Sequence, residues 1–206
     1  MKLEIKNLTK EYDGKTVLDH FSLTFPQKGA VCLFGPSGCG KTTLLNCIAG
    51  LERFDSGVIT IGQKDKISCV FQEDRLLPWI SAKDNVAAVL NGNAKQNGEE
   101  AVKWLRLVGL TGEEDKHPAE LSGGMRQRVA IARALAYGGG LFLLDEPFHA
   151  LDEESKIQII SLIKEQTTNS LVILVTHDSR EAELLADVTY VLSGPPVKIV
   201  DTITNC

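Results

Sequence analysis

One octapeptide limits what this chain can become more than any other stretch: Gly35-Pro36-Ser37-Gly38-Cys39-Gly40-Lys41-Thr42. It satisfies G-x-x-x-x-G-K-[ST] at every fixed position. Ahead of it, Ala30-Val31-Cys32-Leu33-Phe34 is an apolar run of the length used by buried parallel strands. Behind it, Thr43 to Ala49 is compatible with a helix, and Gly50 stands where a left-handed residue would end one. Strand, glycine loop and helix N-terminus in that order make a cradle for a polyphosphate. The glycines allow a tight turn that aims successive N–H groups into one concavity, and the helix start adds partial positive charge. Lys41 can reach the β- and γ-phosphates, and the Thr42 hydroxyl can sit on Mg²⁺.

The remaining chain supplies the frame for this loop. At 206 residues it predicts one large domain, or one core with a small insertion. Lys2–Leu8 alternates, Asp13-Gly14 is a turn signal, and Phe21, Leu23 and Phe25 alternate again, which predicts an antiparallel pair. Gly57–Gly62, Ile67–Phe71 and Val197–Val200 read as further strands. Ser81-Ala82-Lys83-Asp84 resembles a helix start, and helices are predicted over Ala82–Leu90 and Glu99–Val108. Asn91-Gly92-Asn93 and Asn97-Gly98 read as loops. No strand pattern appears from Ser81 to Tyr137, so a helical block interrupts an α/β chain. The net charge of −5 provides no general basic surface for nucleic acid. No apolar run reaches the ~20 residues that span a bilayer, and the alternating N-terminus is not a signal peptide. The five cysteines (32, 39, 47, 69 and 206) lack paired spacing and read as reduced thiols; Cys39, inside the glycine loop, is a candidate reactive thiol.

Three further clusters could carry chemistry. Leu141-Phe142-Leu143-Leu144 is a buried strand pattern ending in Asp145-Glu146-Pro147. An aspartate there can hold Mg²⁺, and an adjacent glutamate can orient or deprotonate a water. Leu171–Thr176 is a second such strand, ending in His177-Asp178. In Leu121-Ser122-Gly123-Gly124-Met125-Arg126-Gln127, Ser122 can cap the following helix. Ser122, Gly123 and Gly124 then make either an ordinary cap or a second helix-terminus anion site. Gln72 follows a strand end, where ligand-facing residues collect in open α/β sheets. Tyr12, from the residue alone, is an ordinary half-buried tyrosine.

These motifs, in this order, resemble the nucleotide-binding subunit of an ATP-binding cassette (ABC) transporter over essentially the whole chain. The resemblance implies an α/β fold: a P-loop NTPase core, an N-terminal antiparallel β subdomain and an inserted α-helical subdomain. Core and β subdomain would take residues 1–77 and 138–206, and the helical subdomain about 78–137. The activity implied is ATP hydrolysis with Mg²⁺, coupled to transmembrane transport. Tyr12 would stack on adenine. Gly35, Pro36, Ser37, Gly38, Cys39, Gly40, Lys41, Thr42 and Thr43 would hold ATP in one subunit, with Ser122, Gly123 and Gly124 closing on it from the other subunit of a homodimer. Thr42, Gln72 and Asp145 would serve Mg²⁺, with Glu146, His177 and Gln72 as catalytic residues. Phe71-Gln72-Glu73-Asp74-Arg75-Leu76-Leu77-Pro78-Trp79 is similar to the ATPases of nitrate, sulfonate and taurine importers.

That similarity implies permease subunits contacted near Leu76–Leu90, a solute-binding protein acting indirectly, no nucleic acid, and a place on the cytoplasmic face of the membrane. The alternatives are an ABC ATPase of another transporter class or a soluble, non-transport one. The latter usually carries a long coiled-coil insertion or a second cassette, and neither pattern occurs here. Two departures stand out: His149 replaces a small residue of the family's D-loop, and the segment between Gly62 and Ile67 is short.

Overall fold

The computed structural model describes residues 2–62 and 66–205; the short segment noted after Gly62 falls largely outside them. In chain order the elements are β1 (Leu3–Tyr12), β2 (Lys15–Thr24), β3 (Gly29–Phe34), α1 (Lys41–Ile48), β4 (Ser56–Ile61), β5 (Ile67–Val70), α2 (Ala82–Ala87) and α3 (Ala94–Leu107). After a 3-10 turn at Pro118–Glu120 come α4 (Gly123–Tyr137), β6 (Leu141–Asp145), α5 (Glu153–Gln166), β7 (Leu171–Thr176), α6 (Ser179–Leu185), β8 (Val188–Ser193) and β9 (Lys198–Thr204). Among the described residues no helix is long and apolar enough to cross a membrane.

The chain divides into two compact units. The first holds the described residues of Met1–Cys69, Gly139–Glu146 and Thr167–Cys206. It contains a three-stranded sheet ordered β2-β1-β4 and a six-stranded sheet ordered β5-β6-β7-β3-β8-β9. β1 pairs antiparallel with both neighbours. Asp13 and Gly14 both adopt positive φ (48° and 77°), the backbone that a two-residue hairpin needs. Leu3, Ile5 and Leu8 all face the core although the last step has odd spacing. A register shift between Ile5 and Leu8, with Asn7 at φ 48°, turns the strand by the missing half-period. Gly57 packs against this bulge so closely that a Cβ would lie 2.5 Å from the Asn7 carbonyl oxygen.

In the larger sheet, β3 is central and parallel to β7 and β8. Its alternation sends Val31 and Leu33 into a core shared with Leu44, Leu45 and Ile48 of α1, Leu141 and Leu143 of β6, and Ile173 and Val175 of β7. α1 ends as the sequence predicts. Gly50 (φ 72°) donates to Cys47 O at 3.2 Å and Leu51 to Asn46 O at 3.0 Å, closing the helix with its last carbonyls satisfied. The thiol of Cys39 does not meet the expectation of a reactive group, because the residue is fully buried in the core. Burial pushes the Cys32 thiol up to about 12.

The second unit, Val70–Gly138 with Pro147–Gln166, contains α2 to α5 and no strand longer than the end of β5 among its described residues. α3 corrects one expectation: it begins at Ala94, so Asn97-Gly98 is helical rather than a loop. Asn93 caps the helix with Gln96 in a reciprocal capping box, and the Asn97 side chain accepts from Gly92 N–H (2.8 Å) and donates to Leu90 O (3.1 Å). α2 is shorter than predicted, ending at Ala87 and continuing as a turn to Leu90.

Candidate active site

β3 delivers the glycine loop from the C-terminal edge of a parallel sheet, where open α/β folds bind ligands. The loop admits little beyond glycine at two points. A Cβ on Gly35 would stand 2.6 Å from Leu192 O, and Gly40 combines φ 109° with only 2.5 Å to Val197 Cγ2. Pro36, Ser37 and Gly38 are exposed. Lys41, 5% exposed, donates to Gly35 O (2.7 Å) and Pro36 O (2.8 Å) and lies 3.9 Å from Cys39 Sγ. Its ammonium therefore sits under the rim of the loop.

β6 and β7 bring the acidic and histidine groups to the same sheet edge. Asp145 is buried, and Thr42 Oγ1 donates to its Oδ1 at 3.2 Å. Glu146, the next residue, has φ 48°, a strained backbone for this side chain, and its N–H is held by Val175 O at 2.9 Å. That turn aims its carboxylate at His177, whose Nδ1–H donates to Glu146 Oε1 at 2.8 Å. The hydrogen bond and charge of Glu146 raise the His177 pKa above its ordinary value. Behind the histidine, the buried Thr176 hydroxyl donates to Glu181 Oε2 (2.6 Å) and accepts from Asp178 N–H (3.1 Å). Thr176 and Glu181 thus pin the turn that carries His177. Neither was singled out from sequence, although a threonine closing an apolar strand with a glutamate five residues on is the visible trace. Tyr12 is 40% exposed at the end of β1, and its hydroxyl bonds with Thr43 and Glu52.

The first unit therefore assembles Tyr12, the loop 35–43, Asp145, Glu146 and His177. The second unit holds the other predicted residues. Ser122 caps α4, its Oγ accepting from Met125 N–H at 3.3 Å. Gly124 abuts the loop after β6, where a Cβ would come within 2.7 Å of Ala150 O. Ser122 and Gly123 are exposed, as are Gln72, just past β5, and His149. A polar network unseen in the sequence ties this unit together. Arg126 Nε donates to Asp74 Oδ2 (2.8 Å) and its Nη1 to Leu121 O (2.9 Å), while Arg133 donates to the carbonyls of Asp74 and Arg75 (3.0 and 2.9 Å). Asp74 and Arg75 lie more than 50 residues from these arginines, too far apart in the chain for any local pattern to reveal the pairing.

The sequence pattern of the ABC transporter family covers residues 18–149. The chain belongs to the ABC transporter family. The ABC cassette is 43% identical to the taurine import ATP-binding protein TauB of Escherichia coli O157:H7, across 97% of this chain and 82% of that one. It is 42% identical to the aliphatic sulfonates import ATP-binding protein SsuB 2 of Rhodococcus jostii (strain RHA1), across 98% and 83%. Its fold is similar to that of the ATP-binding cassette MJ0796, solved as a dimer in a post-hydrolysis state bound to ADP and Pi. The TM-score is 0.90 at 29% identity, with 98% of each chain covered. The ABC cassette described here is an ATPase, and the α/β architecture expected from its motifs is the one it adopts.

Proposed function

We propose that this cassette energises the import of a small sulfonate such as taurine, binding as a peripheral subunit to separate permease chains at the cytoplasmic face of the membrane. The observation that carries the reading is the 42–43% identity to taurine import ATP-binding proteins over nearly the whole chain. The exposed apolar segment Leu77-Pro78-Trp79 supports it, with Trp79 71% exposed in a chain that has no membrane-crossing helix among its described residues. A solute-binding protein acts one step removed, through the permease.

The site supports a division of labour. The loop 35–43 binds the phosphates through backbone N–H groups and Lys41, and Tyr12 stacks on adenine. Glu146 accepts the proton of the attacking water, and His177, held by Glu146, donates to the γ-phosphate. Mg²⁺ suits the oxygen donors present: a hydroxyl and a buried carboxylate, 3.2 Å apart, at the mouth of the loop. Thr42 and Asp145 would hold the ion, with Gln72 assigned from the family resemblance. Once bound, it neutralises charge on the phosphate oxygens. Ser122, Gly123 and Gly124 serve the partner copy of a homodimer, an arrangement supported by the dimeric state of the similar cassette MJ0796. The compact first unit acts as the nucleotide-binding core and the second carries the helical subdomain.

Reconstitution with the permease and solute-binding protein tests the transport reading. ATPase activity should rise on adding taurine and the binding protein, and not on adding nitrate. A rise with longer alkanesulfonates instead would shift the assignment toward the substrate class of the similar Rhodococcus protein. No response to any sulfonate would overturn it.

A further inference from the structure

Lys10 is a lysine where lysines seldom lie. It is 8% exposed, and side chains of this kind are buried almost solely when paired. Its partner is Glu52, with Nζ to Oε1 at 2.8 Å. The same ammonium lies 4.4 Å from the centroid of the Tyr12 ring. Lys10 and Tyr12 are two residues apart on β1 and so share a face. Glu52 also bonds with the Tyr12 hydroxyl, and that hydroxyl bonds with Thr43, the residue after Thr42 on α1. The turn carrying Glu52 is stitched to β1 on both sides of Lys10. Asp55 N–H donates to Thr9 O (2.9 Å), and Asp55 Oδ2 accepts from Glu11 N–H (2.7 Å).

The geometry points to Lys10 and Glu52 as a clamp that fixes the Tyr12 ring and leaves one of its faces open to the adenine of ATP. Lys10 is thereby a positioning residue for nucleotide binding. The inference rests on the proposed stacking role of Tyr12. A cation is drawn to the ring face by the π quadrupole and excludes a base from that side. The opposite face can take the base, since stacking on an aromatic plane needs only one side. The carboxylate steadies the far end of the ring through the hydroxyl, and the ammonium against one face resists rotation of the ring about its Cβ–Oη axis. Because the hydroxyl also meets Thr43, the base platform and the phosphate loop share one rigid spacing. Glu52 raises the Lys10 pKa, so the ammonium stays charged throughout the physiological range.

Binding of ATP and of inorganic tripolyphosphate, measured calorimetrically on the whole chain, separates the base from the phosphates. Lys10→Met, which keeps the apolar stem, should weaken ATP by about 2- to 5-fold and leave tripolyphosphate unchanged. Lys10→Arg should restore most of the loss, and Glu52→Gln should reproduce part of it. Unchanged ATP affinity in Lys10→Met, or equal weakening of both ligands, overturns the clamp. Tyr12→Ala is the control for the reading beneath it: ATP should weaken by roughly 5- to 100-fold relative to tripolyphosphate. If Tyr12→Ala lowers that ratio and Lys10→Met does not, the clamp fails alone. If Tyr12→Ala leaves the ratio intact, the stacking role fails, and the clamp with it.

Discussion

Glu146 combines a left-handed backbone, a carboxylate 15% exposed and a direct bond to an exposed imidazole. Positive φ costs a residue with a Cβ roughly 1–2 kcal/mol, so something in the surroundings must hold it there; the Val175 carbonyl and His177 do. Glu146→Gln keeps the shape and removes the base. Single-turnover ATP hydrolysis should fall by roughly 10²–10⁴-fold while ATP affinity is kept, and ATP should trap a dimer seen on size exclusion. Normal turnover in this variant would remove Glu146 from the mechanism. The same substitution has a second readout. In the parent, an NMR titration should place the His177 pKa above the ordinary ~6.5, and Glu146→Gln should bring it back down. A pKa raised on folding contributes fully below about pH 6.5 and is lost as pH rises through the raised value. The contact should therefore stabilise the fold in mild acid and fade as the pH rises through the raised His177 value. Asp145, Glu146 and His177 were legible in the sequence because each sits at a strand end beside a local pattern, and Thr42 because it closes the glycine-loop motif at the start of α1. Thr176, Glu181 and the Lys10–Glu52 pair were not, because their partners are chosen by tertiary packing.

Among the elements, the loop from Phe71 to Ser81 is less free than its composition suggests. Asn85 of α2, 1% exposed, accepts from Leu77 N–H (2.8 Å) and donates to the carbonyls of Leu77, Ile80 and Ser81 (3.1, 3.3 and 3.0 Å). One amide thus satisfies the backbone of a segment that has no ladder of its own. Asn85→Ala would strand several of those groups and should destabilise the chain by about 2–4 kcal/mol in denaturant unfolding. Amide exchange at Leu77 should quicken more than at Ile131 in the centre of α4. Loss below about 0.5 kcal/mol would mean that water replaces the amide without penalty. Unbroken apolar runs bounded by turn residues, as in β3, β6 and β7, and the capped helix α4 could be read directly. α3 begins earlier than the pattern predicts because Asn97-Gly98 looks like a turn, and the capping box of Asn93 with Gln96 outweighs the glycine. The bulge at Asn7 was likewise hidden, since it appears only when β1 finds both of its partners.

For the whole molecule, the proposed permease contact makes the exposed Trp79 a residue of assembly more than of folding. Trp79→Ala should change the unfolding free energy by no more than about 0.5 kcal/mol. Co-purification with the permease should fall sharply, as expected for an aromatic anchor in a partner's pocket. Unfolding of the variant would show the ring to be a packing element instead. The order of the sheet, β5-β6-β7-β3-β8-β9, bears on how the molecule is made. β3 leaves the ribosome early, yet the strands on its two sides are β7 and β8, with residue 29 set against residue 171 and residue 31 against residue 188. At a synthesis rate of about 5–20 residues per second, the nascent strand waits roughly 7–30 s for its first neighbour. During that interval Val31, Leu33 and Phe34 are an unpaired apolar ribbon attached to the phosphate loop. The helical unit needs nothing beyond Gln166, so it can be complete while the nucleotide site is still a linear segment. Translation speed and chaperone supply, as well as the strength of the finished fold, then set how much of the newborn chain ever reaches its native pairing.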